Sequence, residues 1–495
     1  VAGFASSNLF MSETYDLIVI GGGSAGLVAA GGAGLIGAKV ALVEKAKLGG
    51  DCLYTGCVPS KTLIRSARMA AEMRNAGKYG FESVEPEFKN GRFASVTERV
   101  SDVIGVIAEH DAPEVFEEMG AEVVFGSPEF LNNREIEVAL RGGGKRTMKA
   151  KRFCISTGSS PFVPSIEGLR ETGFVTNEEV FSIRDLPRRL VVIGGGAIGV
   201  ELGQSFRRFG SEVLIVEMLD RILPQEDPEV SEYMTERFSE EGIRIHTSSK
   251  AVRFESNANG EKLVTIETGG GEETITCDEI LVAVGRSPNV DGLGLEKAGV
   301  KYTKKRIETD AYLRTTAKNI YAAGDVNGRY QFTHMADYEA QTVLNNAFLF
   351  WPLTKKADYR VVPWTTFCEP EVARVGMIEE EARRQFGEKA KVFRAAFSHN
   401  DRALAEGSDA GFAKLIVKGK KILGVTIVGP HAGELLHEFV VAMKHGLSLS
   451  QLNEAVHVYP TLAKITQALG TESTIESLKS PFAQKWFGRY LKLWR

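Results

Sequence analysis

The chain has 495 residues, which at about 150 residues per domain suggests roughly three domains. Its 43% hydrophobic and 25% charged residues exclude a disordered or fibrous chain, and 60 basic against 64 acidic residues, net -4, give no electrostatic basis for a nucleic-acid partner. Five cysteines, odd in number and widely spaced, exclude a disulfide scaffold and fit a reducing, cytoplasmic setting in which a cysteine pair is catalytic.

Residues 1–14 hold no Lys or Arg, so no basic region of a secretory signal is expected there. Met11 reads as a natural start, with residues 1–10 as a remnant set aside from the fold. Leu17 through Ala38 is uncharged for 22 residues, long enough for a membrane span, but eight of those residues are glycine. The alternative is a buried strand, a glycine turn and a helix, and recurrence of the pattern later in the chain decides for it. Tyr15 to Ile20 is then a parallel strand, followed by Gly21-Gly22-Gly23-Ser24-Ala25-Gly26. Gly21 permits the tight turn, Gly23 lets backbone approach a pyrophosphate, and Gly26 lets helix and strand pack closely. The next strand, Lys39 to Glu44, ends in an acid 18 residues past Gly26, placed for a ribose diol. Together these form a dinucleotide site.

Cys52 and Cys57 follow almost at once, in the segment Gly49 to Lys61. In a regular helix their side chains would diverge by about 140° with roughly 7.5 Å of rise, too far for a disulfide. A bridge needs an irregular first turn, which Gly56 can supply; by spacing alone, two reduced core cysteines remain the alternative. A long helical stretch over 95–120 is expected to cover the nucleotide domain.

The dinucleotide pattern recurs. Leu190 to Ile193 leads into Gly194-Gly195-Gly196-Ala197-Ile198-Gly199, and the strand Glu212 to Glu217 again ends 18 residues past the last motif glycine. Two such units imply two dinucleotides exchanging a hydride. Glu217 favours NADH over NADPH, since a carboxylate repels a 2′-phosphate and Met218, Leu219 and Asp220 bring no arginine cluster; Arg221 is the nearby exception. Cys154, Cys277 and Cys368 stand singly in apolar contexts and read as buried fillers.

The Cys52–Cys57 segment resembles the redox-active helix of the class I pyridine nucleotide–disulfide oxidoreductases, a family that includes glutathione reductase, dihydrolipoamide dehydrogenase and mercuric reductase. Thr157 to Pro161 and Gly285 to Asn289 resemble its two crossover signatures, Thr315 to Asp325 its second FAD motif, and Val362 to Gly376 the start of its dimerisation domain. The fold implied is α/β: two Rossmann-like nucleotide-binding domains, for FAD and NAD, plus a C-terminal α+β dimerisation domain. The expected divisions are 11–165 (FAD, with the cysteine helix), 166–285 (NAD), 286–355 (the FAD domain resumed), 356–475 (dimerisation) and a basic aromatic tail over 476–495.

The resemblance implies a relay from NADH through FAD to a Cys52–Cys57 disulfide. Cys57 would be the thiolate against the flavin and Cys52 the interchange thiol facing substrate. Lys61, paired with Glu201, would sit beside the flavin. Cofactor contacts are implied for Gly21, Gly23, Gly26, Glu44, Gly50, Lys61, Thr157, Gly158, Gly324 and Asp325 on the FAD side. On the NAD side they are implied for Gly194, Gly196, Gly199, Glu217 and Gly285. Ala197 stands where a bulky residue often covers the nicotinamide pocket.

The chain departs from the family where disulfide-reducing members carry His-Pro-Thr-x-x-Glu as acid/base. Here Tyr459 takes the His position and Lys464 the Glu position. A tyrosine, with a reference pKa of ~10, is a poor base unless Lys464 lowers it. His457 reads first as a structural residue, but alternation would put it on the same face as Tyr459, which keeps it as a second candidate base. The implied homodimer shares its site, with Tyr459 reaching Cys52 of the partner subunit. A C-terminal cysteine pair for Hg²⁺ hand-over is missing. The sequence therefore reads as a mercuric-reductase-like enzyme acting on a small-molecule acceptor: a disulfide, a metal–thiolate or another soft electrophile. Dihydrolipoamide dehydrogenase is the near alternative, and an FAD-binding redox sensor or scaffold the distant one. Past Pro481, aromatic residues interleave with Lys485, Arg489, Lys492 and Arg495; this tail either lies peripherally on a membrane or packs on the dimer.

Overall fold

The computed structural model describes residues 14–494; the proposed start at Met11 and the remnant before it lie outside them. The strand Thr14–Ile20 runs parallel to Val40–Glu44 on one side and to Lys145–Ile155 on the other. Ala121–Asn132 extends that sheet beyond Val40–Glu44, and Ile320–Ala322 returns from far along the chain to flank Lys145–Ile155. Helices pack on one face of this sheet, while the residues of a strand meander and of the segment 290–326 pack on the other, so the strand residues are buried on both sides, which explains their unbroken apolar runs. Beyond the parallel part, Ala121–Asn132, Glu135–Leu140 and Lys145–Ile155 continue as an antiparallel meander.

The second unit repeats the plan with Glu279–Val282, Arg189–Ile193, Glu212–Val216 and Arg244–His246, all parallel in that order. A three-stranded antiparallel sheet, Lys250–Ser256, Lys262–Thr268 and Gly271–Cys277, accompanies it. The two chain crossings between the units pair with each other, Ser159–Pro161 antiparallel to Arg286–Pro288. The C-terminal part is a five-stranded antiparallel sheet in the order Pro363–Thr366, Glu371–Gly376, Lys421–Gly429, Phe412–Lys418 and Ala390–Ala396, backed by helices.

The uncharged stretch 17–38 forms strand, turn and the helix Ser24–Leu35. Among the described residues no helix is long and apolar enough to cross a membrane. The stretch 95–120 is not one helix. Ala94–Ala108 is followed by a short turn, an extended Ala112 and a new helix Pro113–Glu118. Pro113 forces the break, because its ring disfavours helical backbone at the residue before it. The first of these helices covers Cys57–Arg74, which carries the second cysteine of the pair. Leu63 and Ala67 of that helix share one apolar cluster with Val100, Phe206 and Phe209. The cysteine helix is thus seated on the second unit's helix, Ala197–Phe209, as well as on Ala94–Ala108.

A buried charge cluster joins the second unit to the C-terminal sheet. Lys414, 3% exposed, lies 2.7 Å from Glu379, 3.0 Å from Glu229 and 3.3 Å from Asp227.

Candidate functional site

Both glycine loops fold to the same geometry. Gly21 and Gly194 adopt positive φ (102° and 110°), and a Cβ on either would lie 2.4 Å from a backbone oxygen, of Ser156 and Ala283 respectively. A Cβ on Gly26 would come within 1.8 Å of the Gly21 oxygen, and one on Gly199 within 1.9 Å of the Gly194 oxygen. Helix and turn therefore touch backbone to backbone, and no larger residue fits at these four positions. The acids match as well. The amides of Gly22 and Ala46 each donate to Glu44 at 2.6 Å, while those of Gly195 and Leu219 donate to Glu217 at 2.7 and 2.8 Å. Each carboxylate pins its loop and faces the cleft.

The two loops open into one cleft of about 1840 Å³, which Cys52, Cys57, Lys61 and Glu201 also line. The cysteine segment has the irregular turn that a bridge would require. A short helix Gly50–Tyr54 ends at Thr55, Gly56 leaves helical geometry (φ -124°, ψ -111°), and Cys57 starts the 18-residue helix Cys57–Arg74. Gly50, at φ 60°, starts the first of these helices against the Gly23 backbone; a Cβ there would lie 2.6 Å from the Gly23 Cα. Both cysteines are thiols here, and their environments are opposite. A hydrogen bond from Cys52 lowers the pKa of the exposed Cys57 to about 6, helped by the Thr333 hydroxyl at 3.3 Å and the Lys61 charge and opposed by partial desolvation. The same bond, with burial, pushes Cys52 well above an ordinary thiol. The pair is thereby divided, with Cys57 favouring the thiolate and Cys52 the thiol.

Lys61 donates to Glu201 at 3.1 Å and sits 4.3 Å from the centroid of the Phe367 ring. Glu201 also accepts from the Phe367 amide at 2.7 Å. At the crossings, Thr157 and Asn289 exchange two hydrogen bonds (2.7 and 2.9 Å), and the Asn289 amide donates to the Gly158 oxygen. Gly285, at φ 130°, accepts from the Phe162 amide. Asp325 follows Gly324 (φ 80°); burial raises its pKa, and it accepts from Ser159 at 2.6 Å. Arg286 donates to Ser159 and forms a 3.2 Å ion pair with Asp51.

Tyr459 and His457 lie outside this cleft, and the structure corrects two expectations about them. Lys464 does not lower the tyrosine: its ammonium bonds Gln467, while the Tyr459 hydroxyl donates to Asp401 at 3.0 Å, which raises its pKa. His457 does not share Tyr459's face either. Its side chain is 7% exposed, held between the Ala455 oxygen and Glu438, both at 2.9 Å, whereas Tyr459 is 67% exposed. The sequence reading also missed Thr333, Phe367 and Arg286 as neighbours of the reacting groups. Arg286 lies inside the Gly285–Asn289 signature, and Phe367 inside the Val362–Gly376 run, so the signal existed. Nothing near Thr333 in sequence points to Cys57, 276 residues away. Cys154 and Cys277 are buried fillers with pKa values pushed up to about 12 by burial, and burial raises Cys368 well above an ordinary thiol.

The residues present fit dinucleotides. The helices starting after Gly23 and Gly196 carry no side-chain cap, so their first amides are available for a diphosphate. A Cβ on Gly23 would find no atom nearer than 3.8 Å, and one on Gly196 none within 4 Å, leaving room for a phosphate against bare backbone.

The description pyridine nucleotide-disulphide oxidoreductase matches residues 15–340, and the dimerisation domain of that name matches residues 362–469. A mercuric reductase of Staphylococcus aureus is 35% identical over 453 residues, 91% of this chain and 81% of the relative. A dihydrolipoyl dehydrogenase of Thermus scotoductus is 37% identical over 470 residues, 91% of this chain and 96% of the relative. Among solved structures, the HOCl-induced flavoprotein disulfide reductase RclA from Escherichia coli, as its Cu(II) complex, superposes with a TM-score of 0.82. It is 27% identical, over 93% of this chain and 99% of that one.

Proposed function

The chain belongs to the pyridine nucleotide-disulphide oxidoreductase family of flavoprotein enzymes, and from that premise we propose that it carries electrons from NADH to the Cys52–Cys57 pair and on to a soft electrophile. Bound FAD would supply the two-electron link between nicotinamide and cysteines. The observation that carries this reading is the single cleft that brings both glycine loops to Cys52 and Cys57, with the Thr333 hydroxyl 3.3 Å from the Cys57 sulfur and Lys61 and Glu201 paired in the same cleft. Two electrons entering a Cys52–Cys57 bond leave Cys57 as the thiolate beside Lys61 and, with one proton, Cys52 as the thiol. For a disulfide acceptor, Cys52 loses its proton and attacks one sulfur, releasing the first thiolate. Cys57 then attacks Cys52, reforms the bond and releases the second. Glu201 orients Lys61, and the amides above Gly23 and Gly196 hold the two diphosphates.

The C-terminal domain is the family's dimerisation domain, so the working unit is a homodimer, with Tyr459 of one copy reaching the cysteine pair of the other. Asp401 keeps Tyr459 protonated and so less available as a base near neutrality, which disfavours acceptors that need a proton shuttle. A metal–thiolate needs none, and the mercuric reductase relative and the Cu(II) complex of RclA support a metal ion as acceptor. Dihydrolipoamide dehydrogenase is the second reading, favoured by the near-complete match to the Thermus scotoductus relative. Steady-state turnover of dihydrolipoamide with NAD⁺, beside NADH-dependent reduction of thiol-complexed Hg²⁺ and Cu²⁺, separates them. Slow lipoamide turnover with fast metal reduction is expected; the reverse assigns the lipoamide reading.

A further inference from the structure

We propose that the helix Pro481–Leu493 docks this protein on an anionic lipid surface. The helix is a self-started element. Ser480 is extended, its hydroxyl accepts from the Ala483 amide, and Pro481 occupies the first turn, so it turns away from the preceding helix Lys464–Lys479. None of its residues is buried.

Its two faces are fully separated. At about 100° per residue, Phe482, Trp486, Phe487, Tyr490, Leu491 and Leu493 fall within about half of the circumference. Gln484, Lys485, Gly488, Arg489 and Lys492 fill the other half. The apolar side stays open: Phe482 is 81% exposed, Trp486 51% and Leu493 85%. The Trp486 and Tyr490 rings stack at 5.5 Å with planes 4° apart, giving one continuous aromatic surface.

Charge selects the occupant. No Asp or Glu follows Glu476, while Lys479, Lys485, Arg489, Lys492 and Arg495 do, in a chain whose net charge is -4. An apolar half-cylinder edged by Trp, Tyr, Lys and Arg suits a helix lying in the headgroup plane, rings at the acyl boundary and cations on the phosphates.

The test is flotation of the FAD-loaded full chain with phosphatidylserine-rich vesicles, with pure phosphatidylcholine vesicles and without lipid. The wild type should float only with the anionic vesicles, and less at high salt. K485E/R489E/K492E should lose more than about tenfold in partition while keeping its flavin content and dimer mass. Trp486→Ala, which keeps every charge, should also weaken partition. Failure of the wild type to float, equal flotation on phosphatidylcholine, or equal flotation of the charge-reversed variant would each overturn the proposal. So would a variant that falls to monomer without any wild-type flotation, which would assign the helix to the contact between copies.

Discussion

The Lys61 ammonium and the Glu201 carboxylate meet at 3.1 Å, although one stands on the cysteine helix of the first nucleotide unit and the other on the first helix of the second. Glu201 is 7% exposed and, among the described residues, has only the Phe367 amide as a further donor to its carboxylate. Lys61→Met therefore strands a buried carboxylate. A loss of about 1–3 kcal/mol is expected, between the values for surface and buried pairs, because Lys61 itself is partly exposed. Urea unfolding of the flavin-loaded variant measures it, and a change below the error of the fit would make the pair incidental.

Cys57 has its pKa depressed to about 6, first by the hydrogen bond from Cys52 and then by Thr333 and Lys61. A depressed thiol stays anionic until pH falls through that value, so thiolate absorbance of the reduced enzyme should persist at pH 7 and disappear around pH 6. Cys52→Ala removes the largest contribution, and the midpoint should climb toward the ordinary thiol value of ~8.5. Ultraviolet titration of both proteins reads this directly, and coincident midpoints would mean that Cys52 is not the donor.

The duplicated loops can be separated by single methyl groups. A Cβ on Gly26 lies 1.8 Å from backbone oxygen and one on Gly199 1.9 Å, contacts that backbone cannot relax cheaply. Gly26→Ala should purify with little flavin. Gly199→Ala should keep its flavin and show a KM for NADH raised at least about tenfold, since uniform binding is lost. Flavin absorbance per chain and NADH kinetics check both, and identical behaviour of the two variants would contradict the assignment of one dinucleotide to each loop.

Lys414, 3% exposed among Asp227, Glu229 and Glu379, ties the second unit to the C-terminal sheet. Burial opposes the charge on Glu379, but Lys414 and Arg383 hold its pKa down to about 2. Lys414→Met should cost about 3–5 kcal/mol, as removal of one partner from a buried pair does. The Glu379 contribution is present above the ordinary carboxylate range and is lost as pH falls toward 2, so the wild-type advantage should shrink in acid. Thermal melts of both proteins from neutral to acid pH test this.

The elements near the site were readable wherever chemistry is local in sequence. Each glycine loop must combine a tight turn, a bare backbone and an acid on the next strand within some two dozen residues, and the same geometry appears twice. Gly56 could be suspected as the break because five residues of helix cannot bring two cysteines together. What escaped was long-range. Thr333 reaches Cys57 only because the helix Thr333–Phe348 packs beside Ser24–Leu35, and Asp401 reaches Tyr459 through tertiary folding of the C-terminal domain. His457 is held as the structural residue it reads as, while the alternation that would also make it a base presumes a regular strand and the segment 455–463 is irregular.

The central claim is that electrons from NADH arrive at Cys52 and Cys57. The direct measurement adds a stoichiometric amount of NADH, without oxygen, to the oxidised FAD-loaded enzyme, quenches with a mass-tagged alkylating agent and maps the labelled cysteines. The relay predicts that Cys52 and Cys57 pass from linked and unlabelled to labelled, while Cys154, Cys277 and Cys368 stay as they were. A flavin that is reduced by NADH while the pair remains linked would contradict it.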